Sequence, residues 1–169
     1  MPELDLIRLE RERRVRIDER IAADSPAWAE TGLRFAGPVE VRLEAQKSGA
    51  DVIVRGRFHA RVETECRRCL ARVLVDVDEP VSLVFRSGLG RAEAESEEVY
   101  PLPAGERTLD LGEPLREHVL LAVPQYAVCR ETCRGLCPRC GTNLNEGECT
   151  CGPAGGDERW AALRRVTFD

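Results

Sequence analysis

Cysteine is the residue type whose spacing in this sequence indicates chemistry. A CRRC motif carries Cys66 and Cys69, and the other six of the eight cysteines lie between Cys129 and Cys151. Two thiolates separated by two residues can reach one tetrahedral ion, and zinc sites are assembled from such pairs brought together from distant parts of a chain. The pattern therefore predicts that zinc ties the middle of the chain to its C-terminal end. All eight cysteines are predicted ligands: Cys66, Cys69, Cys129, Cys133, Cys137, Cys140, Cys149 and Cys151.

Other uses of clustered cysteines are less well supported. Disulfides need an oxidising compartment, whereas the charged first 20 residues hold no apolar run of a secretory signal, so we expect a cytoplasmic protein with reduced thiols. Cys137 and Cys140 resemble a redox CPxC pair, but such a pair opens a helix, and this one lies among glycine, asparagine and further cysteines. The spacing of Cys133, Cys137 and Cys140 also matches an iron–sulfur motif of radical enzymes, whose large barrel has no room after Cys140.

Eight thiolates are enough for two four-thiolate sites. In one partition Cys66 and Cys69 join Cys129 and Cys133, and the remaining four cysteines form a local second site. In the competing partition Cys66 and Cys69 join Cys137 and Cys140 instead. Ligand counting favours the first partition, and the sequence does not decide whether the chain binds one zinc ion or two. Neither arrangement leaves a free position for water, so we expect structural rather than catalytic zinc.

The apolar residues between Arg13 and Leu111 recur with a period of two, which predicts strands with one buried face. The longest run takes the even-numbered positions from Val52 to Cys66, so the CRRC motif is predicted to be the tip of a hairpin. The alternation resumes over residues 73–77 and, beyond Pro80, over residues 81–85. These runs predict an antiparallel sheet of at least four strands, with Thr108–Leu111 as a further edge strand.

Helical spacing appears between Pro114 and Pro124, and shorter helices are predicted before Arg13 and over residues 157–166. The predicted fold class is α+β: an antiparallel β-sheet with few helices and a cysteine-rich, zinc-stapled C-terminal segment. Residues 1–124 are predicted to hold an N-terminal extension, the sheet and the helix core. Residues 125–169 are predicted to hold the zinc-binding segment and a short last helix, docked on the knuckle at 66–69 within one domain.

A basic stripe stands out on a chain whose net charge is −5. That net charge argues against a broad non-specific nucleic-acid binder, yet residues 55–72 carry six arginines and two glutamates. The odd-numbered side chains of the long strand should face outward, and the arginines predicted to contact phosphates are Arg55, Arg57, Arg61, Arg67 and Arg68. The alternative is an ordinary solvated sheet face. No aromatic residue interrupts the stripe, so stacking of nucleic-acid bases is not indicated.

The sequence gives little support to an enzyme. It holds no evident nucleophile–base set, phosphate-cradling glycine loop or paired carboxylates in a plausible cleft. We therefore expect a non-enzymatic protein without a small-molecule substrate. No apolar stretch is long enough for a membrane-spanning helix, so no membrane partner is expected either.

Three segments together resemble one bacterial family. They are ETECRRCLARV at 63–73, LAVP at 121–124 and CRETCRGLCPRCGTNLNEGECTC at 129–151, and DERWAAL at 157–163 fits the same pattern. The chain resembles the YceD-like proteins, also called large ribosomal RNA subunit accumulation proteins, over roughly Val39 to Leu163. Before Val39 the similarity is loose.

The resemblance implies a non-enzymatic cytoplasmic bacterial protein that supports accumulation of large-subunit ribosomal RNA. Its implied partners are that RNA or a pre-ribosomal particle, with ribosomal proteins as further candidates. The family's cysteine pairs fall on the eight cysteines named above, and the family offers no catalytic residues to transfer. The alternative function is a zinc-stabilised protein-interaction adaptor that does not touch RNA directly.

Overall fold

The computed structural model describes residues 1–89 and 99–152. The predicted helix over 157–166 and the acidic residues 90–98 lie outside these ranges. The described strands are β1 (Glu3–Asp5), β2 (Arg14–Ile21), β3 (Arg34–Phe35), β4 (Val39–Ser48), β5 (Asp51–Glu65), β6 (Arg72–Ser87), β7 (Tyr100–Leu102) and β8 (Thr108–Asp110). The described helices are α1 (Leu6–Glu12), α2 (Gly112–Ala122) and a short 3-10 helix (Pro26–Trp28). The predicted α+β class is confirmed.

Six of these strands form the main sheet, in the order β2–β4–β5–β6–β7, while β3 pairs with β5 beyond the end of β4. All pairings are antiparallel except that of β6 with β7. The predicted edge strand at 108–111 exists as β8, but it pairs with β1 in a separate two-stranded sheet. This pairing buries apolar side chains, because Leu4 and Leu109 are opposite each other in it and both are buried.

The longest strand pairing of the main sheet is the hairpin of β5 and β6. Its pairing runs without a break from Asp51 opposite Arg86 to Glu65 opposite Arg72, so the CRRC motif lies at the closed tip, as the alternation predicts. The sequence suggested two runs separated by Pro80, whereas β6 is one continuous strand. Proline is tolerated where its missing N–H faces a free edge, and β7 covers β6 only from Phe85 onward.

Glycine at position 56 lets β4 and β5 approach closely. A Cβ atom at Gly56 would lie 2.0 Å from the carbonyl oxygen of Arg42 and 2.8 Å from the Cα of Leu43. Any larger residue would push β4 away from β5. The even-numbered face of β5 therefore contains one position that only glycine fits.

The apolar core lies on one face of the main sheet. Val54, Phe58 and Leu83 from the sheet, Leu9 from α1 and Leu115 from α2 belong to it. The opposite face carries the odd-numbered residues of β5 and is open to solvent. Helix α2 ends just before Pro124, after which the chain runs to the first cysteine of the C-terminal group. None of the described helices has the length and apolar character needed to cross a membrane.

Candidate metal centres and arginine face

A tight turn after β5 presents the first two cysteines. The N–H of Cys66 donates to the carbonyl of Ala71 at 2.8 Å, and the N–H of Leu70 donates to the carbonyl of Cys66 at 2.9 Å. Leu70 closes the turn with a positive φ of 60°, which is uncommon for a side chain other than glycine, asparagine or aspartate. Cys66 and Cys69 are both buried at this tip. The hairpin thus forms a knuckle that holds two thiols near one point.

Four cysteines from two distant segments meet at this knuckle. The sulfur atoms of Cys66, Cys69, Cys129 and Cys133, called here the inner cysteine group, all lie within 4.8 Å of one another. The Sγ atoms of Cys66 and Cys133 are 3.8 Å apart, and those of Cys69 and Cys129 are 3.7 Å apart. A tetrahedron with zinc–sulfur bonds of about 2.3 Å has sulfur–sulfur edges of about 3.8 Å. The geometry of the inner group therefore fits a four-thiolate zinc site.

Backbone and arginine hydrogen bonds hold the two segments together. The N–H of Arg67 donates to the carbonyl of Ala127 at 2.9 Å, and the N–H of Leu136 donates to the carbonyl of Arg68 at 3.0 Å. The Arg68 guanidinium donates to the carbonyls of Glu131 and Cys133, at 2.9 and 3.1 Å. Arg68 therefore binds the loop that carries the inner group rather than projecting freely into solvent.

The other four cysteines gather locally. Cys137, Cys140, Cys149 and Cys151, called here the outer cysteine group, also have all four sulfur atoms within 4.8 Å of one another. The N–H of Gly141 donates to the carbonyl of Cys137 at 2.9 Å, and Gly141 has a φ of 74° that closes this second knuckle. Of the four, only Cys137 is buried. The structure thus groups the cysteines as in the first partition, and it keeps Cys137 and Cys140 apart from Cys66 and Cys69.

One asparagine connects the two groups, and sequence reasoning missed it. Asn145 lies between Cys140 and Cys149, yet its side-chain Nδ2 donates to Sγ of Cys133 at 3.3 Å. Its Oδ1 accepts from the backbone N–H of Arg134 at 2.9 Å and from the guanidinium of Arg130 at 3.0 Å. Amide donors around thiolates orient the ligands and offset their charge. The sequence feature that could have indicated this role is the presence of an asparagine among closely spaced cysteines.

The thiols within each group have opposite pKa shifts. Burial works to raise the pKa of Cys66, but backbone N–H groups outweigh it and lower that pKa to about 6. The neighbouring side chain of Cys133 and burial raise the pKa of Cys129 to about 12. In the outer group the Thr142 hydroxyl leads in lowering the pKa of Cys140 to about 6, while Cys140 itself raises that of Cys151 to about 12. Four crowded thiols cannot all ionise without a cation among them, so each group is suited to one.

The donor sets fit a soft divalent ion. Among the described residues, neither group includes a histidine or carboxylate ligand, and four thiolates complete a tetrahedron with no position left for water. Each group therefore has the donor set and the geometry to hold one metal ion.

The outward face of the sheet carries the predicted basic stripe, but acidic partners balance much of it. Arg57 pairs with Asp78 at 3.0 Å and Arg61 with Asp76 at 3.0 Å, across the hairpin. In the part of the chain that the structure describes, the Arg55 guanidinium has neither a hydrogen bond nor an ion pair. The Arg67 guanidinium stacks on the ring of Tyr126, 4.7 Å from its centroid. The sequence did not predict this contact, because Tyr126 belongs to the segment after α2 and is far from the stripe in the chain.

Comparison with known proteins identifies the family. The profile described as "Large ribosomal RNA subunit accumulation protein YceD" matches residues 54–166. An uncharacterised protein of Mycobacterium leprae is 29% identical over 124 residues, covering 70% of this chain and 57% of that protein. An uncharacterised protein of Mycobacterium tuberculosis (H37Rv) is 33% identical over 106 residues, covering 63% of this chain and 50% of that protein.

A named relative comes from a plant. The chloroplastic Arabidopsis thaliana protein "Large ribosomal RNA subunit accumulation protein YCED homolog 1" is 24% identical over 152 residues, which cover 75% of this chain and 47% of that protein. The chain thus spans about half the length of the curated relatives it matches. No solved structure matches it.

Proposed function

We propose, since the chain belongs to the YceD family of large ribosomal RNA subunit accumulation proteins, that it supports accumulation of large-subunit ribosomal RNA. The observation that carries the proposal is the extent of the family match, which covers β5 from Val54, the knuckle and both cysteine groups. The named plant relative supports the same role by its printed name. We place the protein in the bacterial cytoplasm, where ribosomes assemble, and assign it no catalytic activity.

The proposed cofactor is one structural zinc ion in each cysteine group. When bound, zinc supplies a fixed cross-link and no reactive water. The inner group would hold the hairpin tip to the segment after α2, and the outer group would fix the loop that supplies Asn145. Together they would present a rigid basic surface at the end of the long hairpin.

The proposed mechanism is binding of RNA or a pre-ribosomal particle by the arginines along the outward face of β5 and around the knuckle. Arg55 and Arg67 are the best placed for phosphates, because neither has an ion pair among the described residues. Arg57 and Arg61 are exposed, and exposed ion pairs are worth only about 0–1 kcal/mol, so phosphate can replace Asp78 and Asp76 at little cost. Arg68 contributes charge while its guanidinium holds the loop.

The balanced charge of the sheet favours a second candidate function. Glu44 pairs with Arg14 at 3.1 Å, and Glu40 pairs with Arg20 at 2.8 Å, so ion pairs continue toward β2. Such a face also suits a protein partner. A zinc-stabilised adaptor that contacts ribosomal proteins without touching RNA is therefore the alternative.

The function is tested in the cells that make this chain. Deleting its gene should lower the ratio of large-subunit to small-subunit ribosomal RNA, and the wild-type chain should restore that ratio. Cross-linking in living cells followed by RNA sequencing should recover large-subunit RNA with the chain. An unchanged ratio would remove the proposed function. A lowered ratio without RNA cross-links, but with ribosomal proteins in pulldowns, would favour the adaptor.

The arginine mechanism has its own test. The double variant Arg55→Ala/Arg67→Ala should weaken RNA binding and flatten its dependence on salt, because each lost phosphate contact reduces the slope of log affinity against log salt by about 0.7 to 0.9. Arg11→Ala/Arg107→Ala, on α1 and just before β8, is the matched control, because both side chains are exposed, have no ion pair among the described residues and lie outside the main sheet. Equal salt slopes for both double variants would remove these arginines from the mechanism.

A further inference from the structure

Tyr126 is an aromatic side chain without a structural role of its own. It is 74% exposed, and among the described residues it is the only aromatic side chain that is not at least partly buried. Its hydroxyl has no hydrogen-bond partner in the described part of the chain. The other tyrosine differs: Tyr100 is half-buried and donates its hydroxyl proton to Glu117 at 2.8 Å. The exposure of Tyr126 therefore needs another explanation than packing.

The ring is nevertheless held in place. The next residue, Ala127, is buried and accepts a hydrogen bond from the N–H of Arg67, whose guanidinium stacks on the ring at 4.7 Å. Arg67 lies between two ligands of the inner cysteine group, and Tyr126 lies three residues before a third. The same two segments that form the inner group thus form the Arg67–Tyr126 pair. The opposite ring face, with three quarters of the residue exposed, is open to solvent.

We propose that the Arg67–Tyr126 pair is a stacking platform for an unpaired nucleobase of RNA. This inference rests on the proposed function and names the form of RNA that the knuckle recognises. Aromatic rings and guanidinium planes are the surfaces on which proteins stack splayed-out bases of single-stranded RNA. A ring backed by a guanidinium offers the base an aromatic face and the adjoining phosphate a positive charge.

The charge around the platform agrees with an anionic polymer. The two segments contribute the arginines Arg67, Arg68, Arg130 and Arg134, whereas Glu131 is the acidic residue among them. The charge of +4 on these arginines exceeds the −1 of the carboxylate and the formal −2 of a zinc ion bound by four thiolates taken together. The free Tyr126 hydroxyl can also hydrogen-bond to a ribose or phosphate oxygen.

Leu70 and Val128 are exposed apolar residues that flank the Cys69 and Cys129 pair, and they raise the question of a protein occupant. A protein would use the apolar surface of Tyr126 without needing its π-face. Substitution by leucine separates the two cases, because leucine keeps apolar bulk and lacks an aromatic face. Phenylalanine keeps that face and removes only the hydroxyl.

The test measures binding of the zinc-loaded full chain to an unstructured RNA of about 12 nucleotides, within the footprint range of single-strand binders. A fully paired duplex of the same length serves as the second probe. Tyr126→Ala and Tyr126→Leu should bind the single strand roughly 5- to 150-fold more weakly, the range measured for loss of one stacked base. Tyr126→Phe should stay close to wild type, and duplex binding should change little in any variant.

Two further readouts make the result specific. Stacking is not ionic, so Tyr126→Ala should leave the salt slope unchanged, whereas Arg67→Ala should reduce it. Ultraviolet cross-linking should attach a nucleotide to Tyr126 in the wild-type chain. Metal content and the unfolding midpoint should match wild type in every Tyr126 variant, since the ring is exposed.

Three outcomes would overturn the platform: wild-type single-strand affinity in Tyr126→Ala, full replacement of tyrosine by leucine, or no RNA binding by the wild-type chain. The proposed function is judged separately by the ribosomal RNA ratio after gene deletion. If the ratio falls while Tyr126→Ala restores it and binds RNA normally, the platform is wrong and the function stands. An unchanged ratio removes the function itself.

Discussion

At the scale of single residues, Asn145 is the side chain that couples the two cysteine groups. It belongs to the loop of the outer group but donates its amide N–H to Cys133 in the inner group at 3.3 Å. Replacing the amide with a carboxylate of the same shape exchanges this donor for an acceptor beside a thiolate. We expect Asn145→Asp to weaken metal binding at the inner group by about 10- to 100-fold, the range for lost outer-shell partners of a metal ligand.

Competition with a chromophoric chelator measures this effect. Gln125→Glu is the matched control, because it makes the same amide-to-carboxylate change at an exposed position outside both groups. If Asn145→Asp and Gln125→Glu bind zinc at the inner group with equal affinity, the amide–thiolate contact does not stabilise the site.

The cysteines and these polar neighbours differ in how far sequence predicts them. Pairs such as Cys66 and Cys69 are recognisable because both ligands are local in the chain. Ligand counting alone then favoured joining them to Cys129 and Cys133, which is the grouping that the structure shows. Asn145 and Tyr126 act on residues of a different segment. Their contacts depend on how the two segments meet, and no local spacing encodes that.

At the scale of elements, Gly56 is the most constrained position in the hairpin strand β5. A methyl group there would lie 2.0 Å from a backbone carbonyl of β4, and backbone cannot rotate away as a side chain does. We expect Gly56→Ala to lower the free energy of unfolding by about 1–3 kcal/mol or more, as overpacked positions do. Urea denaturation measures the change.

Gly37→Ala is the control for the loss of glycine itself, since a Cβ at that position meets no atom within 4 Å. The control should be close to neutral. Wild-type stability in Gly56→Ala would mean that β4 and β5 separate without cost, contrary to their close approach in the structure.

Alternation predicted the strands well because one face of the sheet is buried and the other is solvated. It did not predict continuity through Pro80, since the tolerance of proline depends on β7 leaving that edge free. The cross-strand ion pairs were within reach of the sequence. With the hairpin folded at CRRC, the register places Arg61 opposite Asp76 and His59 opposite Asp78. The prediction considered β5 without its partner strand β6, and it therefore overestimated the unpaired positive charge of the stripe.

At the scale of the whole molecule, the two cysteine groups differ in what they join. The inner group connects positions 60 residues apart in the chain, as between Cys69 and Cys129, and lies at the tip of the main hairpin. The outer group closes a loop within residues 137–151. A cross-link that closes a longer loop removes more conformational freedom from the unfolded chain. Loss of the inner group should therefore destabilise the protein more than loss of the outer group.

Two matched double variants test this difference. Cys129→Ser/Cys133→Ser and Cys149→Ser/Cys151→Ser should each retain one equivalent of zinc, compared with two in the wild-type chain, as measured by elemental analysis and native mass spectrometry. The first should lower the thermal unfolding midpoint of the sheet, and the second should leave it nearer to wild type. Full zinc stoichiometry in Cys149→Ser/Cys151→Ser would show that the outer group is not a metal site. Equal midpoints would show that the inner group does not cross-link the fold, because removing two of its four ligands should release the metal ion that joins the hairpin to the segment after α2.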